Sequence, residues 1–346
     1  MCSPPSGPFI MGFVAYHTDG WQWIYWTLAI TNGIQFILYF FLSPETLYVR
    51  NSPVPEGGSQ SAFRRQYLNF GKIGPHPITW RDFWTPIRMF AYPNVLLPTI
   101  AYSVVFAFAA VLLTVEIPQI FTPKFHFNPQ QIGLQFLGMI IGSVLGEQLG
   151  GRGSDVFMRR QSSKLGRSRT VAPEYRIWVS YPGYATVICG LVVFFVQVDN
   201  LKRYNVTPIV GIAISSFGNQ IITTVLVTYA VDCHHEHAAS IGVFINLVRS
   251  TWGFIGKFPD QNSFTTVAYG LISVVLKYYP LLIHRTGPFW FPDMFSSIGL
   301  SGSAGLMVGL IVVFSILPTV FIQWKGAPIR MRRAENDLDQ VNTITR

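Results

Sequence analysis

The sequence predicts an all-α, polytopic helical membrane protein, and three observations carry that prediction. Apolar stretches recur at 22–42, 93–115, 131–150, 176–197, 206–231, 238–256 and 300–323. Each approaches the roughly 20 residues a helix needs to cross about 30 Å of hydrocarbon with its backbone hydrogen bonds closed internally. Basic residues gather in every second gap between these stretches. Arg50, Arg64, Arg65, Lys72, Arg81 and Arg88 fall in 43–92, and Arg152, Arg159, Arg160, Lys164, Arg167 and Arg169 in 151–175. Lys325, Arg330, Arg332, Arg333 and Arg346 fill the tail, whereas 116–130 holds Lys124 alone. Basic loops stay in the cytoplasm, so these three regions are expected there. Finally, half of the residues are apolar, 12% are charged and the mean hydropathy is +0.35. That balance excludes disorder and most soluble enzymes.

Taken in order, residues 7–16 read as the end of a helix about 15 Å long, half a span. Trp21 and Trp23 anchor the helix 22–42 at an interface. The polar loop 43–92 carries Pro53, Pro55, Gly57, Gly58 and Ser59, and Pro75 to Phe83 read as the start of an interfacial helix. Two helical hairpins follow, then the pair 206–231 and 238–256. Residues 264–283 are apolar enough to count as one more span, but parity argues against it. An odd number of crossings after 43–92 would place the basic tail outside, and Lys277 interrupts the run. The stretch 257–287 is read as an insertion.

The net charge of +9 is explained by membrane orientation, so no nucleic-acid partner is expected and the lipid bilayer is the partner that composition requires. Cys2, Cys189 and Cys233 are odd in number and imply no disulfide framework. No leader-length apolar core follows Met1. The run Asp232-Cys233-His234-His235-Glu236-His237 has the composition of a metal site, but consecutive ligands point in different directions. A tight turn is expected there, and no metal. No Walker loop, dinucleotide glycine pattern or nucleophile elbow occurs, so no cofactor is expected.

Charged and amide side chains inside apolar stretches are the candidates for function, because they are costly in lipid unless paired or facing water. Glu116 and Glu147 are candidates to carry a proton or attract a cation; the alternative places both at the interface, with Glu147 reaching toward Arg152. Arg249 lies deep in 238–256, and Asn246 precedes it by about a turn. With Asn219 and Gln220 these residues line a polar cleft or, equally, hydrogen-bond between helices.

Several motifs add a resemblance. They are Gly7-Pro8-x-x-x-Gly12, Gly20-Trp21-x-Trp23-x-x-Trp26, Pro44-Glu45-Thr46, Thr114-Val115-Glu116-Ile117-Pro118, Gly150-Gly151-x-x-x-Asp155, Tyr229-Ala230-Val231-Asp232 and Arg249-x-x-x-Gly253-Phe254. Together they resemble the fungal drug:proton antiporters of the major facilitator superfamily, the group of multidrug and polyamine transporters. The resemblance implies twelve helices in two six-helix halves, with a substrate site near the midplane. It divides the chain into 1–42, the last two helices of an N-terminally truncated first half; 43–92, a central loop; 93–323, the six-helix second half; and 324–346, a tail. It further implies proton-coupled transport of drugs, polyamines or other organic cations by alternating access, at the plasma or the vacuolar membrane. Gly7, Pro8 and Gly12 would form a hinge, or simply a close helix contact. Gly151, Asp155, Arg159 and Arg160 would form a charge latch, or a solvated basic segment, and Tyr229 and Asp232 a helix end. Met11 stands where the group carries a glycine. Joining Gly256 to Pro288 restores the resemblance across 257–287, which suggests a translated intron. The alternatives are a non-functional truncated product, a seven-helix receptor and an intramembrane enzyme; the last lacks paired catalytic carboxylates within the spans.

Overall fold

The computed structural model describes residues 3–18, 21–42, 80–165, 172–254 and 291–344. Every regular element among them is helical. They divide into two compact units, Met1–Phe13 with Thr85–Arg346, and Val14–Trp84. Helix α1 is Ser3–His17, with Pro8 inside it, and α2 is Gln22–Leu42. No residue of α2 is buried; a helix apolar on every side belongs in lipid or among other apolar helices.

Helix α3, Trp80–Arg88, leads through the turn Met89–Ala91 into α4, Pro93–Phe125. Pro93 opens α4 where its missing N–H costs nothing, after an extended Tyr92. Midway, Ala107–Leu112 widens into a π-helical turn. His126 ends the helix in a left-handed conformation (φ 55°), its N–H donating to the Thr122 carbonyl. Then come α5, Pro129–Leu165; a 3-10 turn, Pro173–Val179, leading into α6, Ser180–Asn200; α7, Thr207–Cys233; and α8, Ala238–Phe254. Helix α9, Phe291–Ile311, breaks at Gly299 (φ 73°) and passes through a second π-helical turn, Val312–Ile316, into α10, Leu317–Ile344.

Six helical runs among the described residues are long and apolar enough to cross a membrane: Gln22–Leu42, Pro93–Phe125, Pro129–Lys164, Pro173–Asn200, Thr207–Cys233 and Met294–Met331. They match six of the expected stretches. The seventh, expected at 238–256, is α8, with 17 described residues.

The helices pack around α7 by close backbone approach. Gly138, Gly142, Gly146 and Gly150 recur every fourth residue of α5 and so share one face. A Cβ at these positions would stand 2.9 Å from the Ile209 oxygen, 2.1 Å from the Ala213 oxygen, 2.3 Å from the Phe217 oxygen and 3.1 Å from the Ile221 Cα, all on α7. The other side of α7 meets α6 the same way. Cβ atoms at Gly190 and Gly218 would lie 2.3 Å from the Ser215 nitrogen and 2.4 Å from the Gly183 oxygen. Lipid offers apolar helices no hydrophobic reason to associate, so such close contact supplies the attraction. Hydroxyls add to it: Ser315 donates to the Ala101 carbonyl (2.9 Å), and Tyr184 pairs with Thr319 (2.8 Å).

Two expectations need correction. The segment 151–165, expected as loop, continues α5, which at 37 residues is about 56 Å long and outruns the hydrocarbon. It contains no proline, and Ser154 and Ser163 bond back to the Gly151 and Arg160 carbonyls. The tail 324–346, for which no conformation was expected, is helical to Ile344. The last stretch, expected from 300, resumes as helix there, just after the break at Gly299, in a run that begins at Phe291. The half-span read at 7–16 is the longer helix α1. The expectations for 43–79 and for the insertion 257–287 lie outside the described residues.

Candidate functional site

Charged groups meet where the start of α6 and the end of α7 lie against α5. The 3-10 turn Pro173–Val179 presents Arg176, whose side chain is only 13% exposed. Its Nη1 lies 3.2 Å from Asp155 Oδ1 and 3.0 Å from Ser154 Oγ on α5. Its Nε lies 3.2 Å from Asp232 Oδ2, in the last turn of α7. A carboxylate at a helix C-terminus opposes the helix dipole, and the guanidinium offsets that opposition. Beside this cluster Arg330 of α10 reaches Glu174 at 3.4 Å. Tyr229 is fully buried with Ile177 and Ile322, and its hydroxyl occupies the space that a Cβ on Gly326 would enter, at 2.8 Å.

The partner of Asp155 is therefore Arg176. Arg159 and Arg160 follow it in sequence, but both are exposed and form no ion pair among the described residues. Gly151 has open space around it. His235–His237 forms a single 3-10 turn after Asp232 and Cys233. The sequence reading assigned no role to Arg176, Glu174 or Arg330. Their signal was at hand in Pro173-Glu174-x-Arg176, charges set directly before an apolar run, where they look like residues that only orient the protein.

A second polar group sits within the bundle. Arg249 lies eleven residues into α8, about 17 Å along the helix, and is half-buried. It donates to the Tyr102 hydroxyl of α4 (3.4 Å) and lies over the Phe106 ring, 4.8 Å from its centroid. Thr223 of α7 lies beside Tyr102, and its own hydroxyl donates to the Asn219 carbonyl (2.7 Å). Asn219 stands one turn before Thr223, and its Oδ1 is buried with no hydrogen-bond partner among the described residues. Asn246, one turn before Arg249, is exposed. Gln220 is buried and turns instead toward α5, its Cβ against Gly146.

The two carboxylate candidates stand elsewhere. Glu116 is 2% exposed, and its Oε1 lacks a hydrogen-bond partner among the described residues. It is fourteen residues beyond Tyr102 on α4, about 21 Å along the axis, so it does not join Arg249. Glu147 is half-buried on α5, next to Gly146. On α1, a Cβ at Gly12 would stand 2.7 Å from the Pro129 oxygen and 2.9 Å from the Gly133 Cα. The close contact expected of the α1 glycines is thus at Gly12, while Gly7 has nothing within 4 Å. Pro8 lies between them, and its carbonyl faces Gly133.

Known proteins resemble this chain over most of its length. An MFS-type transporter of Aspergillus oryzae, hepF, is 26% identical over 292 residues, covering 81% of this chain and 58% of its own length. The MFS transporter cpaT of the same species is 26% identical over 261 residues, or 73% of this chain and 51% of its own. The efflux pump radE of Floropilus chiversii is 24% identical over 300 residues, or 84% and 54%. The chain thus spans about half the length of these curated relatives. No solved structure gives a significant match. The sequence profile of the Major Facilitator Superfamily matches residues 1–257, most of the helices described above. On that match the chain belongs to the major facilitator superfamily.

Proposed function

We propose that this chain acts in proton-coupled transport of small organic molecules, by alternating access around a site within the bundle. The observation that carries this reading is Arg249. A charged side chain this deep in a membrane helix must pair or face a water-filled pathway, and its one hydrogen-bond partner among the described residues is the neutral Tyr102 hydroxyl. The names of the relatives, transporters and efflux pumps, support movement of small molecules across a membrane. Residues 43–92, 151–175 and the C-terminus lie on the cytoplasmic side, at the plasma membrane or the vacuolar membrane. Exposed Ser162, replaced by cysteine, should therefore resist an impermeant reagent on intact cells; labelling there would reverse the orientation.

Glu116 and Glu147 are the proton carriers in this reading. A carboxylate inside the bundle can take up or release a proton when the site opens to water on one side and then the other. Reconstituted chain, given a pH gradient and a panel of radiolabelled organic acids and amines, should accumulate at least one compound until a protonophore is added. Glu116→Gln or Glu147→Gln should uncouple that uptake from the gradient. Two variants with unchanged gradient dependence would remove both carboxylates from the mechanism. No uptake of any compound would remove transport by this chain.

A further inference from the structure

We infer that Arg249, Tyr102 and Phe106 form the carboxylate-binding end of the transport site, so that the substrate is an organic acid carried as its anion. This rests on the transport reading above and names its substrate class.

Charge is the first ground. Among the described residues no carboxylate lies within ion-pair distance of Arg249. Nor do the elements around it hold one in reserve. Helix α8 carries no charged residue besides Arg249. The nearest carboxylate along α4 is Glu116, about 21 Å away. Asp232, the acidic residue of α7, is engaged by Arg176. A guanidinium cannot shed its proton, so this half-buried cation, with no carboxylate beside it among the described residues, suits an anionic ligand.

Geometry is the second ground. Arginine offers five N–H donors in a planar fork, and the Tyr102 hydroxyl accepts from one nitrogen. Phe106 covers the guanidinium from one side, 4.8 Å from the ring centroid, and the N–H groups beyond the one given to Tyr102 remain as donors. Such donors match the two oxygens of a carboxylate. The unpartnered Oδ1 of Asn219, on the Thr223 side of α7, is an acceptor for a donor elsewhere on the same substrate. Exposed Asn246 stands one turn from Arg249. An organic cation, the class implied by resemblance to drug and polyamine carriers, would meet a like charge here.

The test uses the purified full chain and two probes of one size and opposite charge, radiolabelled benzoate and radiolabelled benzylamine. Equilibrium binding should retain benzoate in preference to benzylamine. Arg249→Gln should weaken benzoate binding by roughly tenfold or more, since it removes a charged bidentate partner. Arg249→Lys keeps the charge but loses the fork and should fall between, and Tyr102→Phe should cost less than either. Lys164→Gln, at the exposed end of α5, should change nothing. Gel filtration confirms folding, and the conservative variants carry the test if Arg249→Gln does not fold. Benzoate binding indifferent to all three site variants, preference for benzylamine, or no benzoate binding by the wild type would each overturn the inference. Uptake into liposomes separates this from failure of the transport reading. Arg249-dependent benzoate binding without uptake sinks transport and keeps the anion site. Gradient-driven uptake of benzylamine indifferent to Arg249 does the reverse.

Discussion

Arg176 and Arg249 are both arginines sheltered among helices, yet their surroundings differ in kind. Arg176 has two carboxylates at 3.2 Å, one from α5 and one from α7. Arg249 has a hydroxyl at 3.4 Å and the face of an aromatic ring. The first is neutralised by its own chain, and removing it would leave Asp155 and Asp232 to repel each other. The second stays positive among neutral groups. A charge that the fold has already answered belongs to the architecture; a charge left open is available to a ligand.

The strongest way to break this contrast is to unseat α7, on which both arginines depend through Asp232 and Thr223. Gly142→Leu would force a side chain where even a Cβ lies 2.1 Å from the Ala213 oxygen. Overpacking typically costs about 1–3 kcal/mol, and a backbone obstacle goes beyond that. The variant should not accumulate as folded protein, and fluorescence-detected gel filtration would reveal it if it did.

Next comes Arg176→Ala, expected to cost about 2–3 kcal/mol in detergent melts, below the 3–5 kcal/mol of a fully buried pair because Asp155 is 59% exposed. Arg249→Ala should cost less than about 1 kcal/mol, the worth of a half-exposed cation over a ring, while abolishing benzoate binding. Equal losses of stability from the two substitutions would erase the distinction. The smallest effect should come from Gly151→Ala, which has nothing within 4 Å and should gain up to about 1 kcal/mol in helix propensity. A loss there would mean that the loop reading of 151–165 describes the working state better than a helix does.

Most of the spans were legible because apolar runs of the right length admit one solution in lipid. Their ends were not. Helix α5 continues past residue 150 on Arg152, Asp155, Arg159 and Arg160, residues that keep a helix going but give no apolar signal. Helix α10 also runs on beyond Trp324, there against Gly326 and Pro328, residues that by themselves disfavour helix. Arg249 stood out as a lone charge in an apolar stretch. Tyr102 and Phe106 did not, because an aromatic residue in an apolar run looks like any other core residue. Arg176 did not stand out, since its partners on α5 and α7 are joined to it only by folding. The glycines at 138, 142, 146 and 150 were in plain view at helical spacing, and their signal went unused. Spacing alone does not say which helix they face.

That glycine row also sets a rule for how the gene can change length. Each residue added to a helix turns everything beyond it by about 100°. One codon gained or lost between 138 and 150 would swing the glycines beyond it off α7 and bring bulkier neighbours against its carbonyls. The row is a combination that opens only in one phase. Natural variants of this chain that differ in length should therefore carry the difference outside 138–150, and a population survey of such variants would show a gap there.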